Sequence, residues 1–238
     1  MGKGEYMRLR KICLTLLLAC GCVCFDASAQ DKENPELTKT LAKMDAVSAN
    51  FKSFTARFVK KHYIALLKEY ETPETGEFSH ALDKNKDVMI RHETLSPINR
   101  IVTIKDGSAV IYTPVAKQAE IRNLGKYKNY VGYLTIGFGQ SSAKLREQFV
   151  ITYEGTEAIN GVPCSILTLV PKDAKIASSI TSITIWFKQS TGAPTQYKFL
   201  DPTGDFQLET FSEEKLNTSI PAGRFEQKFP SGTNVVKY

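Results

Sequence analysis

Residues 35–58 read PELTKTLAKMDAVSANFKSFTARF, and within this stretch the hydrophobic pattern changes from a helical to an extended period. From Pro35 to Asn50, apolar residues recur at helical spacing between charged ones, which predicts one amphipathic helix. The apolar residues of this helix are Leu37, Leu41, Met44 and Val47. Phe54, Ala56 and Phe58 then recur at every second position, which predicts a β-strand directly after the helix.

Period two continues through most of the remaining chain, where alternating runs are separated by turn residues. Asp106-Gly107 and Asn160-Gly161 each separate two such runs, and both dipeptides are strong signals for a tight antiparallel hairpin. This reading predicts about nine or ten strands in one continuous meander. Lys128 to Gln148 is the exception, because an apolar, aromatic segment there precedes Ser142 to Gln148, which can begin a helix. We expect a short helical insertion between two halves of the sheet.

The composition is that of an ordinary globular protein, with 238 residues of which 42% are hydrophobic and 24% charged. It excludes disorder, collagen and coiled coil as descriptions of the whole chain. No repeat, low-complexity tract or proline-rich linker divides residues 35–238, so we expect a single domain over residues 30–238. Lys and Arg are spread along the sequence without an arginine-rich block or a basic-aromatic motif, which argues against a nucleic-acid partner.

The N-terminal segment has the pattern of a cleaved export signal. Basic residues precede an apolar stretch from Ile12 to Phe25, and Ala27-Ser28-Ala29 supplies small residues where signal peptidase reads them. Cleavage there would remove residues 1–29, lower the net charge from +6 to +4 and place the protein in the periplasm. The alternative is Leu17-Leu18-Ala19-Cys20, which approximates a lipobox and would make the chain a lipoprotein anchored to a membrane through Cys20.

The sequence lacks the residue patterns that point to catalysis or metal binding. The three histidines, His62, His80 and His92, lie on separate predicted strands and in no zinc-binding arrangement. There is no nucleophile elbow, Walker loop or dinucleotide-binding turn. Once the signal is removed, Cys164 is the only cysteine, and its expected role is that of a small buried hydrophobic residue. We therefore expect no enzymatic activity, no catalytic residue, no metal and no cofactor.

An apolar cavity is the remaining candidate for a functional site. One amphipathic helix cannot cover so many strands without leaving apolar surface of the sheet uncovered. If the sheet curves around the helix, the uncovered surface becomes a cavity, and curved sheets are favoured sites for apolar ligands. The alternative is a fully packed core, which has the same composition.

A series of short motifs is spread along nearly the whole mature chain. In chain order they are FKSFTARF at 51–58, IRHET at 90–94 with Pro97, Asp106-Gly107, Tyr112-Thr113-Pro114 with Gln118, and the C-terminal set Phe225, Phe229, Pro230, Gly232 and Val235. Each motif alone is weak, and their order carries the information. In that order they resemble the LolA-like family of periplasmic outer-membrane lipoprotein carriers.

The resemblance implies an α+β, mostly antiparallel fold: a curved, unclosed half-barrel sheet with an N-terminal amphipathic helix and a short helical insertion as lid. It implies a carrier that binds acyl chains of lipoproteins, or another lipid, in an apolar cavity and moves them from the inner to the outer membrane. The implied partners are an inner-membrane donor complex and, as a further candidate, an outer-membrane acceptor, with the carrier itself a monomer. The implied cavity residues are Leu37, Leu41, Met44, Phe54, Phe58, Ile90, His92 and Thr94.

The sequence departs from the family pattern at two positions. In the family, an Arg-Pro pair at the start of the aromatic strand anchors the lid, and Lys86-Asp87 stands in that place. Lys86 is therefore the candidate for lid anchoring, although lysine lacks the planar fork of donors of arginine. His92 replaces an aromatic residue in the middle of the strand, so we expect a cavity that favours a different lipid or titrates with pH.

Two other functions remain as alternatives at this point. The first is a lipid- or protein-sensing regulator of envelope stress on the same fold. Such regulators usually carry a second domain after the barrel, whereas this sequence reaches Tyr238 directly after the last predicted strand, which favours the carrier. The second is a hydrolase, which would require Cys164 and a histidine, or two histidines, to meet in one pocket.

Overall fold

The computed structural model describes residues 34–125 and 131–238. The described residues form one 13-stranded sheet and three α-helices. The predicted export signal at residues 1–29 and the alternative anchor at Cys20 lie outside the described residues, so the domain boundary at residue 30 stays a prediction. Within the described residues, no helix is both long enough and apolar enough to cross a membrane.

The helices are α1 (Pro35–Ala49), α2 (Ser142–Gln148) and α3 (Ala174–Ala177). The strands of the first half of the sheet are β1 (Ser53–Ile64), β2 (Glu69–Tyr70), β3 (Glu74–Leu82), β4 (Val88–Ser96), β5 (Arg100–Lys105), β6 (Ser108–Thr113) and β7 (Gln118–Asn123). The strands of the second half are β8 (Phe149–Ile159), β9 (Val162–Pro171), β10 (Ser182–Lys188), β11 (Pro194–Leu200) and β12 (Phe206–Leu216), and the C-terminal strand is β13 (Asn234–Lys237). Short 3₁₀ helices span Pro114–Ala116, Gly132–Thr135 and Ala222–Phe225.

The sheet consists of two meanders that meet at β1. Its strand order is β13-β7-β6-β5-β4-β3-β1-β12-β11-β10-β9-β8, with β2 paired to β1 alone. All of these pairs are antiparallel except β13 with β7, which is parallel. Among the described strands, the two edges, β13 and β8, do not pair with each other. The predicted fold class, an unclosed and mostly antiparallel half-barrel with helices, is confirmed.

Several local predictions are confirmed by the strand pairing. The Asp106-Gly107 turn joins β5 to β6, and the Asn160-Gly161 turn joins β8 to β9. All four turn residues have positive φ, between 50° and 78°, as a two-residue hairpin turn requires. The predicted helix at Ser142–Gln148 is α2, and it lies in the insertion between the two halves of the sheet.

The prediction of nine or ten strands in one continuous meander is wrong. The structure contains 13 strands, and β1 stands between β3 and β12 because it pairs with both. Strands β2 and β13 are too short to show alternation, and β3 reads ETGEFSHAL, in which glycine and polar residues obscure the hydrophobic pattern. Gly76 of β3 has a packing role, because a Cβ atom there would lie 2.0 Å from the carbonyl oxygen of Glu93.

Helix α1 begins at Pro35, as predicted, and packs through its apolar stripe. The side chain of Asn34 accepts a hydrogen bond from the Glu36 amide at 2.9 Å, and Pro35 occupies the first turn, where its missing N–H costs nothing. Leu37, Leu41 and Met44 are buried in the main hydrophobic core together with residues of the sheet. The helix therefore covers one part of the sheet and leaves another part open.

Candidate functional site

A cavity of about 490 Å³ opens between the two halves of the sheet. Strands β4 and β5 form one wall, β11 and β12 form the opposite wall, and β1 and β3 contribute residues between them. Leu134 of the insertion and Ile180 after α3 border the cavity. The volume lies within the range of sites that hold small molecules.

The cavity wall is apolar because neighbouring strands align their inward-facing residues. Ile90 of β4 is paired with Ile104 of β5, and His92 is paired with Val102. Since side chains alternate between the two faces of a strand, these pairs lie on one face of the sheet. The apolar residues of the wall are Phe78, Ile90, Val102, Ile104, Leu134, Ile180, Tyr197, Phe199, Leu200, Phe206 and Phe211.

A band of paired charges lies beside this apolar wall. Lys60 Nζ of β1 lies 2.5 Å from Glu74 Oε2 of β3, and Arg100 Nη2 lies 3.6 Å from Glu74 Oε1. Burial alone would raise the pKa of Glu74, but the hydrogen bond and charge of Lys60, with the charge of Arg100, hold the pKa below its usual value. The carboxylate therefore stays ionised and is shared by two cations, so the band adds a polar border with one surplus positive charge.

His92 is a polar residue of the cavity wall, and it is paired with a carboxylate of β12. Its Nε2 lies 3.0 Å from Glu209 Oε1 of β12, and its ring packs on Phe58 with centroids 4.1 Å apart. His92 and Ile90 both line the cavity. The hydrogen bond with Glu209 connects β4 to β12 across β3 and β1 and fixes one nitrogen of the ring.

The neighbours of His92 lie on the opposite face, as the strand parity predicts. Arg91 Nη2 lies 2.9 Å from Glu93 Oε2, and Glu93 also contacts Arg224 of the C-terminal segment. Thr94 faces the same side as His92 but is buried beside the cavity, with its Oγ1 donating to Glu74 at 3.3 Å. The register of β4 thus directs His92 to the cavity and Arg91 away from it.

Five of the predicted cavity residues lie in the packed core. Leu37, Leu41, Met44, Phe54 and Phe58 are at most 6% exposed and belong to the main hydrophobic cluster. In the described part of the chain, the cavity wall does not include them. Their predicted contact with acyl chains stays a prediction, since it requires α1 to move away from the sheet.

The insertion covers the core next to α1. Phe138 lies with its ring centroid 4.5 Å from that of Phe54 and 5.1 Å from that of Phe51. Asp45 of α1 accepts hydrogen bonds from the amide and the hydroxyl of Ser142, both at 2.6 Å. Helix α1 and the insertion therefore form one connected cover.

A second contact ties the insertion to the cavity wall. The hydroxyl of Tyr197 donates to the carbonyl oxygen of Ile136 at 2.6 Å. Burial raises the pKa of Tyr197 well above its usual value, and the charges of Glu209 and Glu214 act in the same direction. The phenol therefore remains a hydrogen-bond donor at any physiological pH.

Lys86, the candidate for lid anchoring, lies in the turn between β3 and β4. Its side chain is exposed and its backbone is left-handed, with φ 64°. The contacts of the insertion described above come from other residues: Asp45, Phe51, Phe54 and Tyr197. An anchoring role for Lys86 stays a prediction.

His80 is the one histidine buried beneath this cover. Its ring lies against Phe51, with centroids 4.6 Å apart, and against Phe138, at 5.9 Å. Neither ring nitrogen has a hydrogen-bond partner among the described residues. Burial lowers the pKa of His80 from 6.5 to about 3, so the ring is neutral at physiological pH.

Cys164 is fully buried in β9, and its thiol is the free cysteine of the described residues. Burial is the largest influence on this thiol and raises its pKa. A thiol with a raised pKa is mostly protonated at neutral pH and is a poor nucleophile. The position has the properties of a small packed residue.

The cavity residues of β11 and β12 were not predicted from the sequence. Tyr197 and Phe199 stand two positions apart in β11, and Phe211 lies in β12, but alternation alone does not tell which face of a strand is turned inward. The pairing of Glu209 with His92 could not be predicted from local sequence, because the two residues are separated by 117 positions. These residues reach the site through long-range strand pairing.

The comparisons with known proteins bear on the fold. No protein-family model matches the sequence, and no curated protein matches it in sequence. An uncharacterised conserved protein from Thermus thermophilus has a similar structure, with a TM-score of 0.52 and 13% identity, over 85% of this chain and 99% of that one. The crystal structure of MucB is similar with a TM-score of 0.51 and 14% identity, over 82% of this chain.

The chain spans 64% of the length of MucB. A LolA superfamily protein from Nitrosomonas europaea is also similar, with a lower TM-score of 0.36 and 13% identity, over 80% of this chain and 97% of that one. Identities of this size inform on architecture alone. The chain shares with MucB and the Thermus thermophilus protein the architecture of an unclosed antiparallel half-barrel with helices packed on its sheet.

Proposed function

We propose that this protein binds acyl chains of a lipoprotein, or of another lipid, and carries them through the periplasm from the inner to the outer membrane. The observation that carries the proposal is the open cavity of about 490 Å³ with aliphatic and aromatic walls. Each CH₂ group removed from water contributes about 0.8 kcal/mol, so a wall of this kind favours a hydrocarbon chain. The proposed function is binding and release, without enzymatic chemistry.

The charged band supports an amphipathic ligand. Lys60 and Arg100 share the one carboxylate of Glu74, which leaves a surplus positive charge, and His92 is paired with Glu209. Asp201 and Asp205 also line the cavity, so groups of both signs border it. These side chains present polar groups to the head of a lipid but do not require a ligand of one particular charge. The proposal therefore assigns the selectivity to the hydrocarbon chain rather than to the head group.

The proposed location and partners follow from this function. An exported carrier would receive lipid from an inner-membrane donor complex and would pass it to the outer membrane, either directly or through an acceptor. A monomer suffices, because the cavity is formed within one chain. The motif order of the sequence, which resembles that of the LolA-like carriers, supports this assignment, and the unclosed half-barrel is compatible with it.

The test is lipid binding by variants of one strand. Val102 of β5 lines the cavity, whereas its neighbour Ile101 faces the other side of the sheet. We expect Val102→Asp to weaken binding of a fluorescent fatty acid at least tenfold, because a charge in an apolar wall is costly. Ile101→Asp is the matched control and should bind like the wild type if it remains folded.

Native mass spectrometry of protein purified from the periplasm supplies the identity of the ligand. A lipid adduct that is present in the wild type and absent from Val102→Asp supports the proposal. Equal lipid binding by both folded variants, or no lipid bound by the wild type, contradicts it.

A second candidate function is a regulator that senses lipid or protein. The similarity to MucB favours it, since MucB has been crystallised in complex with MucA. A transfer assay distinguishes the two functions. A carrier loaded with labelled lipid releases it to acceptor membranes, whereas a sensor keeps its lipid and changes its affinity for a protein partner.

A further inference from the structure

Three turns of the sheet expose aliphatic side chains that the cavity does not use. In the β1–β2 turn, Leu66 is 89% and Leu67 60% exposed. At the end of β4, Leu95 is 52% exposed, and Ile98 in the β4–β5 turn is 59% exposed. Val115 in the 3₁₀ helix after β6 is 79% exposed. We call these five residues the turn surface.

The turn surface lies at one end of the first half of the sheet. Strands β1, β4 and β6 run in the same direction, because each is separated from the next by one antiparallel strand. The turns that follow these three strands therefore share one edge. Exposed aliphatic side chains do not stabilise a folded protein in water. Their repetition along one edge of the sheet therefore indicates a surface that contacts a partner.

The cavity opens next to this edge. The amide of Ala65, in the β1–β2 turn, donates to Asp205 Oδ1 of the β11–β12 turn at 2.8 Å. Asp205 also borders the cavity. Whatever the β1–β2 turn contacts is therefore close to the cavity entrance.

The charges of the three turns identify the kind of partner. Residues 64–69, 95–100 and 114–118, each taken up to the first residue of the following strand, contain three basic residues, Lys68, Arg100 and Lys117, and one acidic residue, Glu69. Arg100 is paired with Glu74, whereas Lys68 and Lys117 are exposed. Aliphatic side chains next to basic ones are the pattern of a surface that enters the interface of an anionic membrane.

The distribution of these residues favours a membrane over a protein groove. A protein groove is typically filled by one continuous apolar ridge, such as the face of a helix. Here the aliphatic residues stand on three separate turns. A lipid leaflet is continuous and deformable, so it can take up separate side chains at the same time.

We propose that the turn surface docks onto an anionic lipid bilayer, with Leu66 and Leu67 entering the interfacial region. This goes beyond lipid carriage, because docking requires no ligand in the cavity. Docking by this edge brings the entrance of the cavity to the membrane, where a lipid can enter or leave with the least exposure to water.

The test is co-sedimentation with vesicles of equal parts phosphatidylcholine and phosphatidylglycerol, with pure phosphatidylcholine vesicles beside them. We expect the wild type to bind the anionic vesicles more tightly, and the difference should shrink at high salt. The double variant Leu66→Ser/Leu67→Ser should lose at least about tenfold in affinity, since both side chains leave the apolar phase. Lys68→Glu/Lys117→Glu should remove the preference for anionic lipid.

Val150→Ser is the matched control. Val150 is 53% exposed and lies in β8, the last strand in the order of the sheet, away from the turn surface. It should bind vesicles like the wild type. Fatty-acid binding in solution should be the same in all of these variants, which separates docking from the function of the cavity. Absence of binding to anionic vesicles, or equal binding by the double variant, overturns the proposal and leaves a protein as the partner of this edge.

Discussion

Phe138 packs against Phe54 with ring centroids 4.5 Å apart, and this contact joins the helical insertion to the central strand of the sheet. Phe138 is only 2% exposed and stands between Gly137 and Gly139, which have φ values of 90° and 75°. Glycine takes these left-handed values without strain, and the backbone can therefore turn Phe138 inward. The tip of the insertion thus completes the core on which α1 also rests.

Replacing Phe138 by Ala should remove this contact and leave a cavity under the insertion. We expect Phe138→Ala to lower the free energy of unfolding by about 3 to 5 kcal/mol, as for other large-to-small changes in a core. Urea denaturation measures the loss. Leu134→Ala, at a 48% exposed position in the same insertion, should cost less than about 1 kcal/mol. Similar losses for both variants would show that the insertion does not depend on Phe138.

Helix α1 offers a second pair of variants. Leu41 is 3% exposed and packs into the core, whereas its neighbour Ala42 is exposed. Leu41→Asp buries a charge without a partner, so we expect it to destabilise the protein by several kcal/mol or to detach the helix. Ala42→Asp should change the melting temperature little. A wild-type melting temperature for Leu41→Asp would contradict the packing of α1 on the sheet.

The parts of the fold that were predictable are those with local signals. Asn34 and Pro35 mark the start of α1, and the Asp106-Gly107 and Asn160-Gly161 turns favour a left-handed backbone that closes a hairpin. The helix at Ser142–Gln148 likewise begins with a capping serine, Ser141, whose side chain accepts from the Lys144 amide. In each case the deciding residues are within a few positions of one another.

The parts that were not predictable depend on pairing between distant segments. The sequence contains no sign that Phe58 is paired with Phe211, or that β1 lies between the two meanders. The cavity wall is formed by this pairing, because it brings β11 and β12 opposite β4 and β5. Ile90 and His92 share a face because they stand two positions apart in one strand, but only the completed sheet shows which residues stand across from them.

The register of β4 can be checked with a photocrosslinking residue. His92 lines the cavity, and Arg91 is directed to the other face, where it contacts Glu93. A photocrosslinker placed at position 92 should label a bound fatty acid, and the same group at position 91 should not. Labelling from position 91 alone would place the lipid on the other face of the sheet.

The buried His80 makes the stability of the protein depend on pH. Its pKa is about 3 in the folded protein, lowered by burial from 6.5, so the folded state keeps the ring neutral where the unfolded state protonates it. The folded state therefore binds fewer protons between pH 6.5 and about 3. The contribution of neutral His80 to the free energy of unfolding is fully present above pH 6.5. It falls as the pH decreases through this window, by up to about 1.4 kcal/mol per pH unit.

The variant His80→Leu isolates this effect, because leucine fills the space among Phe51, Phe138 and the sheet without a titrating group. Between pH 7 and pH 4.5, the wild type should lose roughly 2 to 3 kcal/mol more unfolding free energy than His80→Leu. Urea denaturation at both pH values measures the difference, and carboxylates cancel because both proteins contain them. Phe187→Leu is the control, since Phe187 is a buried core residue without a titrating group and its replacement should leave the pH dependence of the wild type in place. Parallel pH profiles for the wild type and His80→Leu would show that His80 is protonated in the folded protein or that local opening exposes it to water.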